Sequence, residues 1–231
     1  MYTFSYKDGV NLTAEKISVS LTDSDVTAKN FYNAYGIYGA YIDGINISSA
    51  HNNSVSLDNS SATGDIYGSC TYGKATSKAY LNVVTVKGSS SVKGSVYGAY
   101  ANSKAESLTH DNSVTLDNSS VTGGVYGSFT TGVTSTVHLN VVAAKGKSSV
   151  DGSVYGAYVE PQGGFSARDN AVSLEDSSSV TGSVSGLYAQ GGTADSVAEI
   201  NNNTVTLTGN SHVFRSLSDW WHTGSAYGAN V

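Results

Sequence analysis

"NSVTLDNSSVTGGVYGS" occupies Asn112–Ser128, and "NSVSLDNSSATGDIYGS" occupies Asn53–Ser69, 59 residues earlier. Between them runs a looser copy, "NVVTVKGSSSVKGSVYGA", from Asn82 to Ala99. The unit is anchored by a tetrad: YGAY at Tyr38, YGSC at Tyr67, YGAY at Tyr97, YGSF at Tyr126, YGAY at Tyr155, SGLY at Ser185 and YGAN at Tyr227. Successive anchors lie 29, 30, 29, 29, 30 and 42 residues apart. A period near 30 in strand-forming residues predicts a β-solenoid in which one repeat makes one coil.

The columns support this. After an Asn comes an alternating strand with Val55, Val84, Val114, Val142, Val172 and Val205 in its first inward place. Leu57, Val86, Leu116, Ala144, Leu174 and Leu207 fill the second. Mostly hydroxyl residues separate them, the pattern of a half-buried strand. Val19 and Leu21 fit an earlier coil. A second short strand carries Ala62, Val92, Val121, Val150 and Val180. Gly64, Gly94, Gly123, Gly152 and Gly182 mark the next corner, where a positive φ is expected. A third strand brings Ile66, Val96, Val125, Val154 and Val184 into the tetrad. The expected fold is all-β: a parallel β-helix of three strands per coil and roughly seven coils, one domain over residues 1–231. The Asn before each strand (Asn53, Asn82, Asn112, Asn140, Asn170, Asn203) is expected to form a side-chain amide ladder along a corner.

The middle copy changes Asp to Lys. The place after the second inward residue reads Asp58, Lys87, Asp117, Lys145, Glu175. Stacked coils lie about 4.8 Å apart, so alternating charge makes a ladder of ion pairs, with Asp117 between Lys87 and Lys145. Exposed, each rung adds little stability but helps set register. The true unit is a pair of coils.

In the tetrad, the fourth column (Tyr41, Cys70, Tyr100, Phe129, Tyr158, Tyr188) accepts Cys and Phe and is placed inward. The first column, including Tyr67, Tyr97, Tyr126 and Tyr155, then points out as an aromatic stripe. The stripe either packs on itself or offers a platform to sugars or proteins. The reverse assignment, with these tyrosines in the core, stays open. The stretch between tetrad and Asn ("IDGINISSAHN", "ANSKAESLTHD", "VEPQGGFSARD") varies and reads as loops on one edge, where binding is expected. Two insertions stand out: residues 28–36, and 214–225 with Trp220 and Trp221, which reads as a flap over the core or a contact site.

The chain has 26 Gly, 16 Tyr, one Pro, one Met, one Cys and a formal net charge of -6. This composition excludes a helical bundle, and the charge argues against nucleic acid and anionic membranes. Cys70 alone permits no intrachain disulfide. No apolar run is long enough to span a membrane as a helix. "MYTFSYKDGV" at the start lacks a signal peptide's basic head and apolar core, and the chain reads as an excerpt of something longer. His51, Tyr80, His110, His138 and Arg168 form a column. His110 and His138, with Asp111 near, lack a specified third ligand, so no metal site is expected. Paired carboxylates for glycoside cleavage, phosphate loops and GGxGxD calcium repeats are missing from the sequence. No catalytic residue and no cofactor are expected, and the chain is not expected to be an enzyme.

The tyrosine-glycine tetrads, the "NSVTLDNSSVTG" strands and the scarcity of Cys and Pro resemble the passenger repeats of bacterial (type V) autotransporter adhesins. The resemblance covers residues 15–213 and is one of style and periodicity. It implies a right-handed β-helix exported through an outer-membrane barrel and displayed on the cell surface. It also implies adhesion to host or bacterial glycans or proteins, with repetition raising avidity. The family's protease motif, such as GDSGS, is missing. A polysaccharide-acting β-helix, lyase- or tailspike-like, and a purely structural stalk are the alternatives. Open coil ends are expected to promote end-to-end association.

Overall fold

The computed structural model describes residues 2–5, 10–27, 36–191, 198–214 and 226–230. Residues 28–35 of the first insertion, and Trp220 and Trp221 of the second, lie outside the described residues. Every described element is a strand, and every strand pairing is parallel, from one coil to the next. One sheet holds eight strands and three hold seven.

A coil therefore has four strands where three were expected. The coil at mid-length runs Val96–Ser103, Glu106–His110, Ser113–Asp117 and Ser120–Val121. We refer to the four sheets these strands build as the tyrosine wall, the histidine wall, the valine wall and the short wall. The histidine wall is the correction. The stretch read as variable loops first extends the tetrad strand and then forms a strand of its own, as in Ile47–His51 and Thr76–Tyr80. Its inward places hold Ser77 and Ala79, or Ser107 and Thr109, so it lacks an apolar alternation.

The vertical alignment is as the columns demand. Val84 pairs with Val114, and Val114 with Val142. The interior divides into two lobes. In the first, the valine wall, the short wall and the start of the tyrosine wall bury Val84, Val86, Val92 and Val96 and their equivalents. In the second, the histidine wall faces the rest of the tyrosine wall through small residues at mid-length, such as Ala79, Ala99 and Ala101, and through larger apolar ones toward the ends, Ile42 at one and Phe165 and Leu187 at the other. The asparagine ladder is the seam between them. Asn82 donates its side-chain amide to Asn112 Oδ1 (2.9 Å) and to the Ala50 carbonyl (3.2 Å), and its backbone N–H also goes to Asn112 Oδ1 (3.1 Å). The same bonds repeat from Asn53 to Asn203. Buried amides keep their place only when their hydrogen bonds are made, and here both amide hydrogens are used.

The glycine of each tetrad sits across from this seam. A Cβ on Gly68 would lie 2.4 Å from the Gly98 carbonyl and 3.2 Å from Asn82 Cβ. The walls pinch there, and only glycine leaves room. Two corners per coil turn through residues with positive φ. One precedes the Asn (Leu81 at 55°, Asp111 at 54°) and the other follows the valine wall (Asn59 at 47°, Gly88 at 67°). A buried polar residue comes soon after each, Asn directly at the first and Ser one or two places on at the second (Ser60 after Asn59, Ser90 after Gly88). Ser90 Oγ accepts the Ser60 N–H at 3.0 Å, so serine makes a second ladder. The expected glycine corner is only partly of this kind. Gly64 has φ 115° and Gly94 has 158°, near extended. Gly152 and Gly182 are instead required by close coil contact, since a Cβ would meet the preceding coil's glycine carbonyl at 2.5 and 2.6 Å.

The double-coil unit has a geometric cause. Asn59 Oδ1 accepts the Ser89 N–H (3.2 Å), and a Cβ on Gly88 would lie 2.3 Å from that oxygen. Asn118 caps Lys147 in the same way at 3.1 Å. The Asp-Asn corner thus fills space that the Lys-Gly corner leaves open. The charges close into separate pairs, Lys87–Asp58 at 3.0 Å and Lys145–Asp117 at 3.2 Å. Asp117 does lie in register between Lys87 and Lys145, yet among the described residues its ion pair is with Lys145.

Candidate functional site

The outer face of the tyrosine wall carries two aromatic columns. In a straight strand Tyr97 and Tyr100 would face opposite ways. Instead Val96 is buried, Gly98 and Ala99 are both buried, and Ala101 is buried again. The two successive inward residues shift the parity by one, and both tyrosines face out. The fourth column, expected inside, is therefore an outer column.

Its rings and those of the first column stack along the rod. Tyr38–Tyr67, Tyr67–Tyr97 and Tyr97–Tyr126 each have centroids 4.7 Å apart and planes within 6° of parallel. Tyr126–Tyr155 opens to 5.6 Å and 40°. In the second column, Tyr100–Phe129 and Phe129–Tyr158 stack at 5.1 and 4.7 Å. The columns meet edge to face, as Tyr97 and Tyr100 do at 6.0 Å and 86°. Edge-to-face and offset pairs are the favoured aromatic geometries. Cys70 leaves a gap in the second column and is itself buried. Tyr72 leans across it, touching Tyr41 at 5.8 Å and Tyr100 at 5.7 Å.

The rings are half-buried in one another. Tyr67, Tyr97 and Tyr126 keep part of their surface in solvent, while Tyr155 is only 8% exposed. Tyr67 donates its phenol proton to Asp65 Oδ2 at 3.1 Å. Burial, and then the Asp65 carboxylate, hold the Tyr67 phenol far above its ordinary range. Burial pushes Tyr126 up to about 12, and it also raises Tyr97, Tyr158 and the Cys70 thiol. All are neutral around pH 7. The slab thus presents uncharged rings with hydroxyl tips, bordered by Glu160 and Gln190, whose oxygens lie 3.0 and 3.2 Å from the Tyr158 hydroxyl.

Of the residues singled out by sequence, Tyr67, Tyr97, Tyr126 and Tyr155 come together on this face. Tyr72, Tyr100, Phe129, Tyr158 and Tyr188 join them, and the sequence reading left them out or put them inside. The signal for the second column was present in the tetrad, but the extra inward residue was not.

A second stack lies at the corner of the histidine wall. His51, Tyr80, His110 and His138 follow one another with centroids 4.7–4.8 Å apart and planes within 10° of parallel. Glu15 Oε2 lies 3.4 Å from His51 Nε2. His110 Nδ1 lies 2.7 Å from Asp111 Oδ2. Burial, reinforced by His110, lowers the pKa of His138. The chain has no match among protein family models, curated proteins or solved structures.

Proposed function

We propose that this chain is a binding segment of a rod-like surface protein and that the tyrosine wall is its contact face. The protein is a parallel β-solenoid repeat with one aromatic side, its neutral rings bordered by the carboxylates of Asp65 and Glu160; that side carries the reading. Flat rings with polar tips suit sugar faces and protein side chains, and their rigidity lowers the entropy lost on binding. In this reading the rod is an adhesin segment of an autotransporter passenger, displayed outside a bacterial cell. It meets host or bacterial glycans or proteins by many weak contacts in series. It acts by binding rather than catalysis.

The test is a glycan array together with capture from host-cell and bacterial surface extracts. The parent chain is compared with a Tyr100→Ser/Phe129→Ser/Tyr158→Ser variant whose circular dichroism is unchanged. Binding by the parent that falls about tenfold or more in the variant, the size expected for central aromatic contacts, supports the reading. Equal binding by both, or none by the parent, removes it. One observation favours a second reading, a spacer stalk: the rings already satisfy one another, column to column. No binding by the parent would leave that reading standing.

A further inference from the structure

We propose that His110, Asp111 and His138 form a binding site for a single borderline divalent cation of the zinc class. One candidate ligand atom from each of the three residues lies within 4.8 Å of the others. His110 and Asp111 sit on one coil, with Asp111 at the left-handed corner (φ 54°) that turns its carboxylate back onto His110 Nδ1 at 2.7 Å. His138 stands directly above His110 in the parallel register. Its Nδ1 is buried and is one of few buried side-chain polar atoms among the described residues with no hydrogen-bond partner. The cause is local: its corner neighbour is Leu139, where His110 has Asp111. A buried ring nitrogen without a partner is costly, and a cation held jointly with Asp111 would supply one.

The donor set has chemical direction. Two imidazole nitrogens and one carboxylate suit zinc, copper or nickel more than magnesium or calcium. A tetrahedral zinc takes three protein ligands and leaves its fourth place to water. The His110 and Asp111 side chains are 22% and 38% exposed, so a hydrated ion can reach them. The rings now stack at 4.8 Å and 8°. Zinc–nitrogen bonds of about 2.1 Å require the two nitrogens to be no more than about 4.2 Å apart, with their lone pairs converging. His138 must therefore turn out of the stack. No hydrogen bond at Nδ1 holds it there, and the next residue in its column is Arg168, whose guanidinium faces Asp169 at 3.5 Å. The other histidine of the stack lacks this arrangement. His51 has Nδ1 against the Asn52 side-chain amide at 3.0 Å and Nε2 against Glu15 at 3.4 Å.

The experiment is calorimetric titration of the full chain with zinc chloride at neutral pH, paired with thermal unfolding with and without the ion. The parent is expected to take up one ion per chain and to gain in unfolding midpoint, because only the folded state holds the site. His138→Phe keeps a ring in the stack and removes both nitrogens. It should weaken binding beyond the ~10–100-fold that loss of an outer partner costs and abolish the midpoint gain. Asp111→Asn should also weaken it, and His51→Phe should not. No uptake by the parent, uptake unaltered in His138→Phe, or an equal loss in His51→Phe would each overturn the assignment.

Discussion

The two lobes of the coil interior share a backbone and a repeat but not a packing chemistry. The lobe under the valine wall is filled by Val and Leu. Leu57, Leu116 and Leu174 are fully buried there, and shape and apolar area hold it together. The lobe under the histidine wall is lined by Ser, Thr and Ala in the middle coils, with larger apolar residues toward either end, Ile42 at one and Val159, Phe165 and Leu187 at the other. Its walls are tied by hydroxyls, with Ser77 Oγ donating to the Asn102 carbonyl at 2.6 Å and Ser107 Oγ to Thr131 at 2.5 Å. Small side chains let the walls approach closely. The comparison teaches that a solenoid can close a coil either by filling space or by removing it. The asparagine seam is what lets one coil do both.

The largest expected effect comes from cutting the seam. Asn112→Ala removes two amide donors and an acceptor serving Asn82. At about 1–3 kcal/mol for each buried group left unsatisfied, we expect a loss of about 4 kcal/mol in urea unfolding. A loss under about 1 kcal/mol would mean that the lobes do not depend on the seam. Next comes Leu116→Ala in the filled lobe, expected to cost about 3 kcal/mol by transfer and cavity terms. A similar cost for Ala99→Gly, in the other lobe, would erase the distinction.

Alkali should act from outside on the tyrosine wall. Folded phenols bind their protons more tightly than unfolded ones. Their contribution is complete below the ordinary value of 10.0 and is lost as pH rises through the folded value, about 12 for Tyr126. Stability measured by denaturant midpoint should fall between about pH 10 and 12 while phenolate absorbance rises. Ionisation of all the tyrosines near pH 10 without unfolding would contradict the half-buried slab. The smallest effect separates two serines of one lobe. Ser107→Ala should cost about 1 kcal/mol, whereas Ser128, whose buried hydroxyl has no partner, should change to Ala at almost no cost. Equal effects would show that the hydroxyls do not tie the walls.

The period, the valine columns and the asparagine ladder were legible because they repeat in residue type. The fourth strand was not, since Ser107 and Thr109 face inward where a reader looks for Leu or Val. Exchange of polar and apolar residues within one inward column, Thr109 beside Ala79 and Val137, makes such a strand look like a loop. The aromatic face was half legible. Tyr97 was placed outside, but Tyr100 was placed inside because alternation was carried straight through Gly98. The charge column was read as an even ladder, and geometry closes it into pairs within each double coil. The left-handed corner that joins Asp111 to His110 has no signature of its own, since Leu81 and Leu139 occupy the same place.

From Asn53 through Asn170 each side-chain amide of the seam donates toward the higher-numbered coil, and Asn203 is the last acceptor. Their dipoles therefore add instead of cancelling, and the column has a positive and a negative end. Each coil thus meets the one before it oxygen to nitrogen, and the amide column carries one polarity from coil to coil.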